Sequence, residues 1–80
     1  MMRDELMSNL AALGVHKNSY SLDGIRHSDC VCVVGDAGKW KVCYVERDKP
    51  NELVVVDTVK EAYDFVYATF CKWLNVNRNP

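Results

Sequence analysis

The feature that most constrains the fold is a pair of apolar runs separated by a glycine-containing pentapeptide. Residues 30–34 and 40–46 are rich in valine, cysteine and aromatic side chains, a composition that favours β-strands. Between them, residues 35–39 combine glycine with aspartate and lysine, which is typical of a tight turn. The sequence therefore predicts a β-hairpin at the centre of the chain.

The length of the turn decides which side chains share a face of the sheet, because side chains alternate along a strand. We interpret residues 36–38 as a three-residue loop with Gly38 in the left-handed position. This loop pairs Gly35 with Lys39 and Val34 with Trp40. One face then carries Cys30, Cys32, Val34, Trp40, Val42, Tyr44 and Glu46, and the other carries Val31, Val33, Lys41, Cys43, Val45 and Arg47. We expect helices on the first face, and on the second a partly covered docking strip formed by Val31, Val33, Cys43 and Val45.

Two helices are predicted at the ends of the chain. Apolar residues recur every three or four positions near the start, at Met2, Leu6, Leu10 and Leu13. Gly14 followed by Val15 predicts a Schellman ending near residue 13. Thr58 and Glu61 fit the capping box S/T-x-x-E, so the second helix is expected to begin there. Its apolar stripe comprises Val59, Ala62, Tyr63, Val66, Phe70, Trp73 and Leu74.

Two further strands complete the prediction. Residues 20–22 form a short strand before the hairpin, and residues 53–56 form a long one after a polar loop at 48–52. The order is helix, antiparallel β-meander of three to four strands, helix (α-β-β-β-α). We therefore predict a single small α+β domain over residues 1–80, with residues 75–80 as a frayed tail.

Composition limits the classes of function. The chain has 80 residues and a net charge of −1, so it has little room for a large pocket and no basic excess for nucleic acid. Neither a signal peptide nor a transmembrane span is indicated, which favours a cytoplasmic location without membrane contact. In that compartment the four cysteines are expected to be reduced thiols.

No catalytic, metal or cofactor site is expected. Cys30 and Cys32 lie too far apart along a strand for an undistorted disulfide. The remaining candidate metal ligands have no zinc-site spacing; they are His16, His27, Cys43 and Cys71. His27, Ser28 and Asp29 are adjacent in sequence, whereas the members of a catalytic triad come from separate elements.

The element order is also that of the double-stranded-RNA-binding domain, so a nucleic-acid-binding or regulatory module is the alternative function. That family presents lysines at the start of its last helix. Here the corresponding segment, residues 57–61, has a single lysine between acidic residues.

A resemblance gives a sharper expectation. It rests on Tyr20-Ser21-Leu22-x-Gly24, a cysteine-bearing strand, Gly38-Lys39-Trp40-x-Val42-x-Tyr44-x-Glu46-Arg47, and Glu61-Ala62 at the start of an aromatic-rich helix. This pattern resembles the small immunity proteins encoded beside bacterial polymorphic toxins, including contact-dependent growth inhibition systems. The resemblance implies a non-enzymatic protein that binds a cognate toxin domain, often a nuclease, and blocks its active site or the approach of its substrate.

An aromatic anchor with an acidic rim would suit the cationic cleft of a nuclease. We expect the partner contacts at Trp40, Tyr44, Glu46, Arg47, Asp48 and Glu52. Trp40 and Tyr44 share the face expected to be covered by helices, so they could instead belong to the core. A homodimer through the open sheet face or a sheet edge is a further possibility.

Overall fold

The computed structural model of the protein describes residues 1–25, 29–47 and 49–75. Its elements are α1 (Arg3–Ala12), a short 3-10 helix (Lys17–Ser19), β1 (Tyr20–Ser21), β2 (Cys30–Asp36), β3 (Lys39–Glu46), β4 (Lys49–Val56) and α2 (Val59–Trp73). This order confirms the predicted α+β fold with a helix at each end of the strand region. Of the tail predicted to fray, only Asn75 lies within the described residues.

The four strands form one mixed sheet in the order β1-β2-β3-β4. The antiparallel meander is confirmed for β2, β3 and β4. The short strand differs, because β1 pairs with β2 in parallel, with Tyr20 opposite Val31. After β1 the chain does not reverse into a hairpin. It continues beside β2, where the Gly24 amide donates to the Val33 carbonyl at 3.0 Å.

The turn between β2 and β3 is one residue shorter than predicted. Ala37 and Gly38 form a two-residue loop in which both residues have positive φ angles, 52° and 82°, as a type I′ hairpin turn requires. Asp36 therefore pairs with Lys39, and Gly35 with Trp40. The predicted three-residue loop was wrong because it placed only the glycine in the left-handed region. The observed register instead makes Ala37 adopt this unfavourable conformation and turns the valines of β2 toward the helices.

This register corrects half of the predicted face assignment. Trp40, Val42 and Tyr44 face the helices as expected, but Val31 and Val33 join them there, packed with Leu6, Leu10 and Val66 in the main core. The thiols of β2 lie on the opposite face, in a second buried cluster of Cys30, Cys32 and Val45. The expected docking strip of Val31, Val33, Cys43 and Val45 is therefore wrong, since all four side chains are buried.

Two described residues between β1 and β2, Ile25 and Asp29, lie beside this part of the sheet. The Asp29 amide donates to the Val45 carbonyl at 2.6 Å. Ile25 borders the same open depression as Val34 and Cys43. Ile25 thus lies beside the face that the sequence indicated to be open.

The C-terminal end of α1 and the N-terminal end of α2 confirm the predicted capping motifs. At the end of α1, the Val15 amide donates to the Leu10 carbonyl at 2.9 Å and the Gly14 amide to the Ala11 carbonyl at 3.0 Å, the two bonds of a Schellman motif. At the start of α2, Thr58 and Glu61 form the complete capping box.

The last strand is longer than predicted. Residues 49–52 were expected to be loop, but β4 begins at Lys49 and pairs with β3 from Glu46 back to Trp40. Pro50 is compatible with this position because β4 lies at an edge of the described sheet, where an amide donor is not required. An irregularity between Val42 and Cys43 leaves Leu53 as an extra residue in β4.

Candidate protein-binding surface

The predicted contact residues do not form one site. Trp40 lies beside the Ala37–Gly38 turn, half-buried against the main core. Its ring lies 3.2 Å from the position that a Cβ on Gly35 would occupy, so the glycine makes room for the indole. Glu46 is six residues away on the same strand, roughly 20 Å at 3.3 Å per residue. Trp40 is therefore part of the fold at the far end of the sheet.

Tyr44 belongs to a series of edge-to-face aromatic contacts. Its ring centroid lies 5.6 Å from that of Trp73, which lies 5.7 Å from Phe70, and Phe70 lies 6.5 Å from Tyr20. Such pairs stabilise beyond the area they bury, by about 0.5–1.5 kcal/mol each. Partial burial also raises the pKa of the Tyr44 hydroxyl, which favours the uncharged form. The aromatic series holds Trp73 in a defined position although 51% of this residue is exposed.

Glu46 and Arg47 lie where β3 turns into β4. With Lys49 and Asn51 they line an open depression at this end of the sheet. Tyr44 lies on the same face of β3 as Glu46 and directly opposite Asn51, so the aromatic series adjoins a residue that lines the depression. Asp48, also predicted as a contact, lies outside the described residues.

Glu52 is separate from these residues, because its strand position places it opposite Cys43 on the second face of the sheet. Its carboxylate lies 3.8 Å from Lys41 Nζ, and Asp36 lies 3.0 Å from the same nitrogen. Lys39 pairs in the same way with Asp57. Asp36 raises the pKa of Lys41, and Asp57 raises that of Lys39. Of the acidic residues expected to contact the partner, Glu52 is thus partly offset by Lys41.

Residues that the sequence reasoning did not select complete the surface around Tyr44. Leu53 and Trp73 border an open apolar groove between β4 and α2, lined also by Phe65, Ala68, Thr69 and Lys72. Leu74 follows at the end of α2 and is exposed. The apolar stripe of α2 contained the signal, since Trp73 and Leu74 extend it past Phe70 into the last turn. Leu53 carried no such signal, because its position results from the irregular pairing of β4.

We call this region the Trp73 surface. It consists of Tyr44, Leu53, Trp73 and Leu74, bordered by the charged residues Glu46, Arg47, Lys49 and Lys72. Tryptophan, tyrosine and arginine are the residues most enriched at the energetic centres of protein interfaces. The surface therefore has the composition of a protein-binding site, and the described residues of its border are one carboxylate and three cations.

Two further kinds of site were considered for the described residues, a metal-binding group and a membrane-spanning helix. Within residues 1–25, 29–47 and 49–75, no group of three or more histidine, cysteine or acidic side chains is arranged to bind a metal ion. Neither helix in that part of the chain is long and apolar enough to cross a membrane. His27 and Ser28, considered above as catalytic candidates, lie outside the described residues.

Comparison with protein-family models, with curated proteins and with solved structures found no match to this chain.

Proposed function

We propose that this protein is a cytoplasmic, non-enzymatic immunity protein that binds a cognate toxin domain and neutralises it. The observation that carries the proposal is the exposed Trp73 ring, held between Tyr44 and Phe70 beside exposed Leu53. A large aromatic side chain that is already ordered loses little conformational entropy on binding, so it is an efficient anchor for a partner. The sequence resemblance to immunity proteins supplies the class of partner.

The charge of the Trp73 surface favours one mode of inhibition. Arg47, Lys49 and Lys72 outnumber Glu46 among its described charged residues. A cationic phosphate-binding cleft would repel this border, whereas an acidic or mixed surface beside the cleft would attract it. We therefore expect the protein to block the approach of substrate from a neighbouring site, without inserting an acidic group into the cleft.

The decisive experiment uses the product of the gene immediately upstream of this one, which the proposal expects to carry the toxin domain. The two purified proteins are mixed, and the dissociation constant and the residual toxin activity are measured. Replacing a central tryptophan of an interface costs at least about 2 kcal/mol, which is roughly a thirtyfold loss of affinity. Trp73→Ala should therefore bind at least about thirtyfold more weakly and protect cells less well.

Ile25→Ala is the matched control, because Ile25 is also exposed but borders the depression on the opposite face of the sheet. It should bind like the wild type, and thermal unfolding should show that both variants fold. Wild-type affinity in Trp73→Ala together with a loss in Ile25→Ala would place the interface on the other face.

Failure to bind the toxin domain would refute the immunity function. Salt-sensitive retention of RNA would then favour the nucleic-acid alternative, and a mass that rises with concentration would favour a homodimer.

A further inference from the structure

Three cysteines lie together on the sheet face opposite the helices. Cys30 and Cys32 are on β2, and Cys43 on β3 is the direct cross-strand partner of Cys32. The Sγ atoms of Cys30 and Cys32 are 3.1 Å apart. Cys71, by contrast, is buried on α2. The register predicted from the sequence separated Cys43 from the other two, so this cluster becomes apparent only with the observed two-residue turn.

Backbone distances decide which two of the three thiols can form a disulfide. Directly opposite residues of antiparallel strands have Cα atoms about 4.5–5.5 Å apart, within the range of about 4.4–6.8 Å found in disulfides. Cys30 and Cys32 are separated by two strand rises, about 6.5–7 Å, at the upper limit of that range. Rotation of a cysteine side chain changes the distance between two Sγ atoms, whereas the distance between two Cα atoms is fixed by the hydrogen bonds of the sheet. Cys32 and Cys43 are therefore the better matched pair.

Accessibility decides which thiol reacts first. Cys30 and Cys32 are completely buried, while Cys43 retains 6% of its surface. Cys43 also lines an open depression together with Ile25, Val34, Lys41, Pro50 and Glu52. A small oxidant can therefore approach Cys43 from the solvent, whereas the side chains of Cys30 and Cys32 are fully covered.

We propose that Cys43 and Cys32 form an oxidation site, at which hydrogen peroxide produces an intramolecular disulfide between β2 and β3. Burial raises the pKa of the Cys43 thiol, so its thiolate is a minor form near neutral pH and the reaction is slow. This thiolate attacks one peroxide oxygen, the O–O bond breaks, and the departing hydroxide is protonated to water, leaving a sulfenic acid. The Cys32 thiolate then attacks this sulfur, the S–S bond forms, and the S–O bond breaks to release a second water. Two thiols lose two electrons and two protons, and one peroxide becomes two waters.

The disulfide restricts the unfolded chain, because it closes the loop from residue 32 to residue 43. Cross-linking of this kind stabilises a fold mainly by lowering the entropy of the unfolded state. The oxidised protein should therefore unfold at a higher urea concentration than the reduced protein. The Trp73 surface lies on the helix side, so its partner should bind both forms.

The test is oxidation of the folded protein by hydrogen peroxide, followed by intact mass measurement and peptide mapping after alkylation of the remaining thiols. The wild type should lose two hydrogen atoms and yield a cross-linked peptide pair containing Cys32 and Cys43. Cys71→Ala, which removes a buried thiol outside the cluster, and Cys30→Ala should form the same disulfide. Cys43→Ala should form none.

Mapping in the wild-type protein needs no variant, so the proposal can be tested even if Cys43→Ala does not fold. A disulfide joining Cys30 to Cys32 would overturn the assigned pair. Oxidation of Cys43 to sulfinic acid without any disulfide would overturn the role of Cys32.

Discussion

The β2–β3 register can be tested by comparing two adjacent valines. In the structure Val33 is 1% exposed and packs in the main core opposite Val42, while Val34 is half-buried on the second face. Val→Ala removes the equivalent of two CH₂ groups, about 1.6 kcal/mol at roughly 0.8 kcal/mol each. The cavity left at a fully buried site raises the cost of Val33→Ala to about 2–3 kcal/mol. Val34→Ala should cost less than about 1 kcal/mol, because part of its side chain is already in contact with water.

Urea unfolding followed by tryptophan fluorescence and circular dichroism measures both free energies of unfolding. A domain of 80 residues has a total stability of about 4–12 kcal/mol at 0.05–0.15 kcal/mol per residue, so both variants should remain folded in water. The difference between the variants is the informative quantity, since errors in the unfolded reference state largely cancel. An equal or larger loss in Val34→Ala would refute the observed register and restore the three-residue turn.

Three other outcomes follow from local geometry. Ala37→Asn should raise the free energy of unfolding by about 0.5–1 kcal/mol, because asparagine tolerates the left-handed conformation that costs alanine roughly 1–2 kcal/mol; an unchanged urea midpoint would contradict this turn. Thr58→Ala should lower it by about 1 kcal/mol through loss of the cap to Glu61, while Thr58→Ser should retain most of it. Burial, and secondarily Glu52, raises the pKa of the Cys43 thiol, with Lys41 on β3 acting in the opposite direction and Cys32 facing it from β2. Alkylation of native Cys43 by iodoacetamide should thus be slower than that of a free thiol near about pH 8.5, and it should accelerate as the pH rises further. The free energy of unfolding should fall over the same pH interval, because the unfolded chain releases this proton at a lower pH than the folded chain does. Glu52→Gln should speed the alkylation, and a rate equal to that of a free thiol would contradict the raised pKa.

The candidate surface was only partly predictable from sequence. Tyr44, Glu46 and Arg47 were selected and do lie near one another, because neighbours along a strand remain neighbours in space. Trp73 and Leu53 come from elements distant in sequence, and their contribution depends on how α2 crosses β4. Glu52 was selected for its charge, but strand alternation and the irregular pairing at Leu53 place it on the other face.

Short-range sequence patterns determined both helices of this protein and their capped ends, independently of the rest of the chain. Helical spacing, the glycine after α1 and the capping box before α2 each act within a few residues, so the helices and their ends could be read directly. The presence of the central hairpin could likewise be predicted from neighbouring residues alone. Its register could not be, because Ala37 and Gly38 permit more than one turn and the choice depends on which valines the helices bury. Only the tertiary structure decided the parallel pairing of β1, the clustering of three thiols and the exposure of Trp73, since each depends on contacts between residues far apart in sequence.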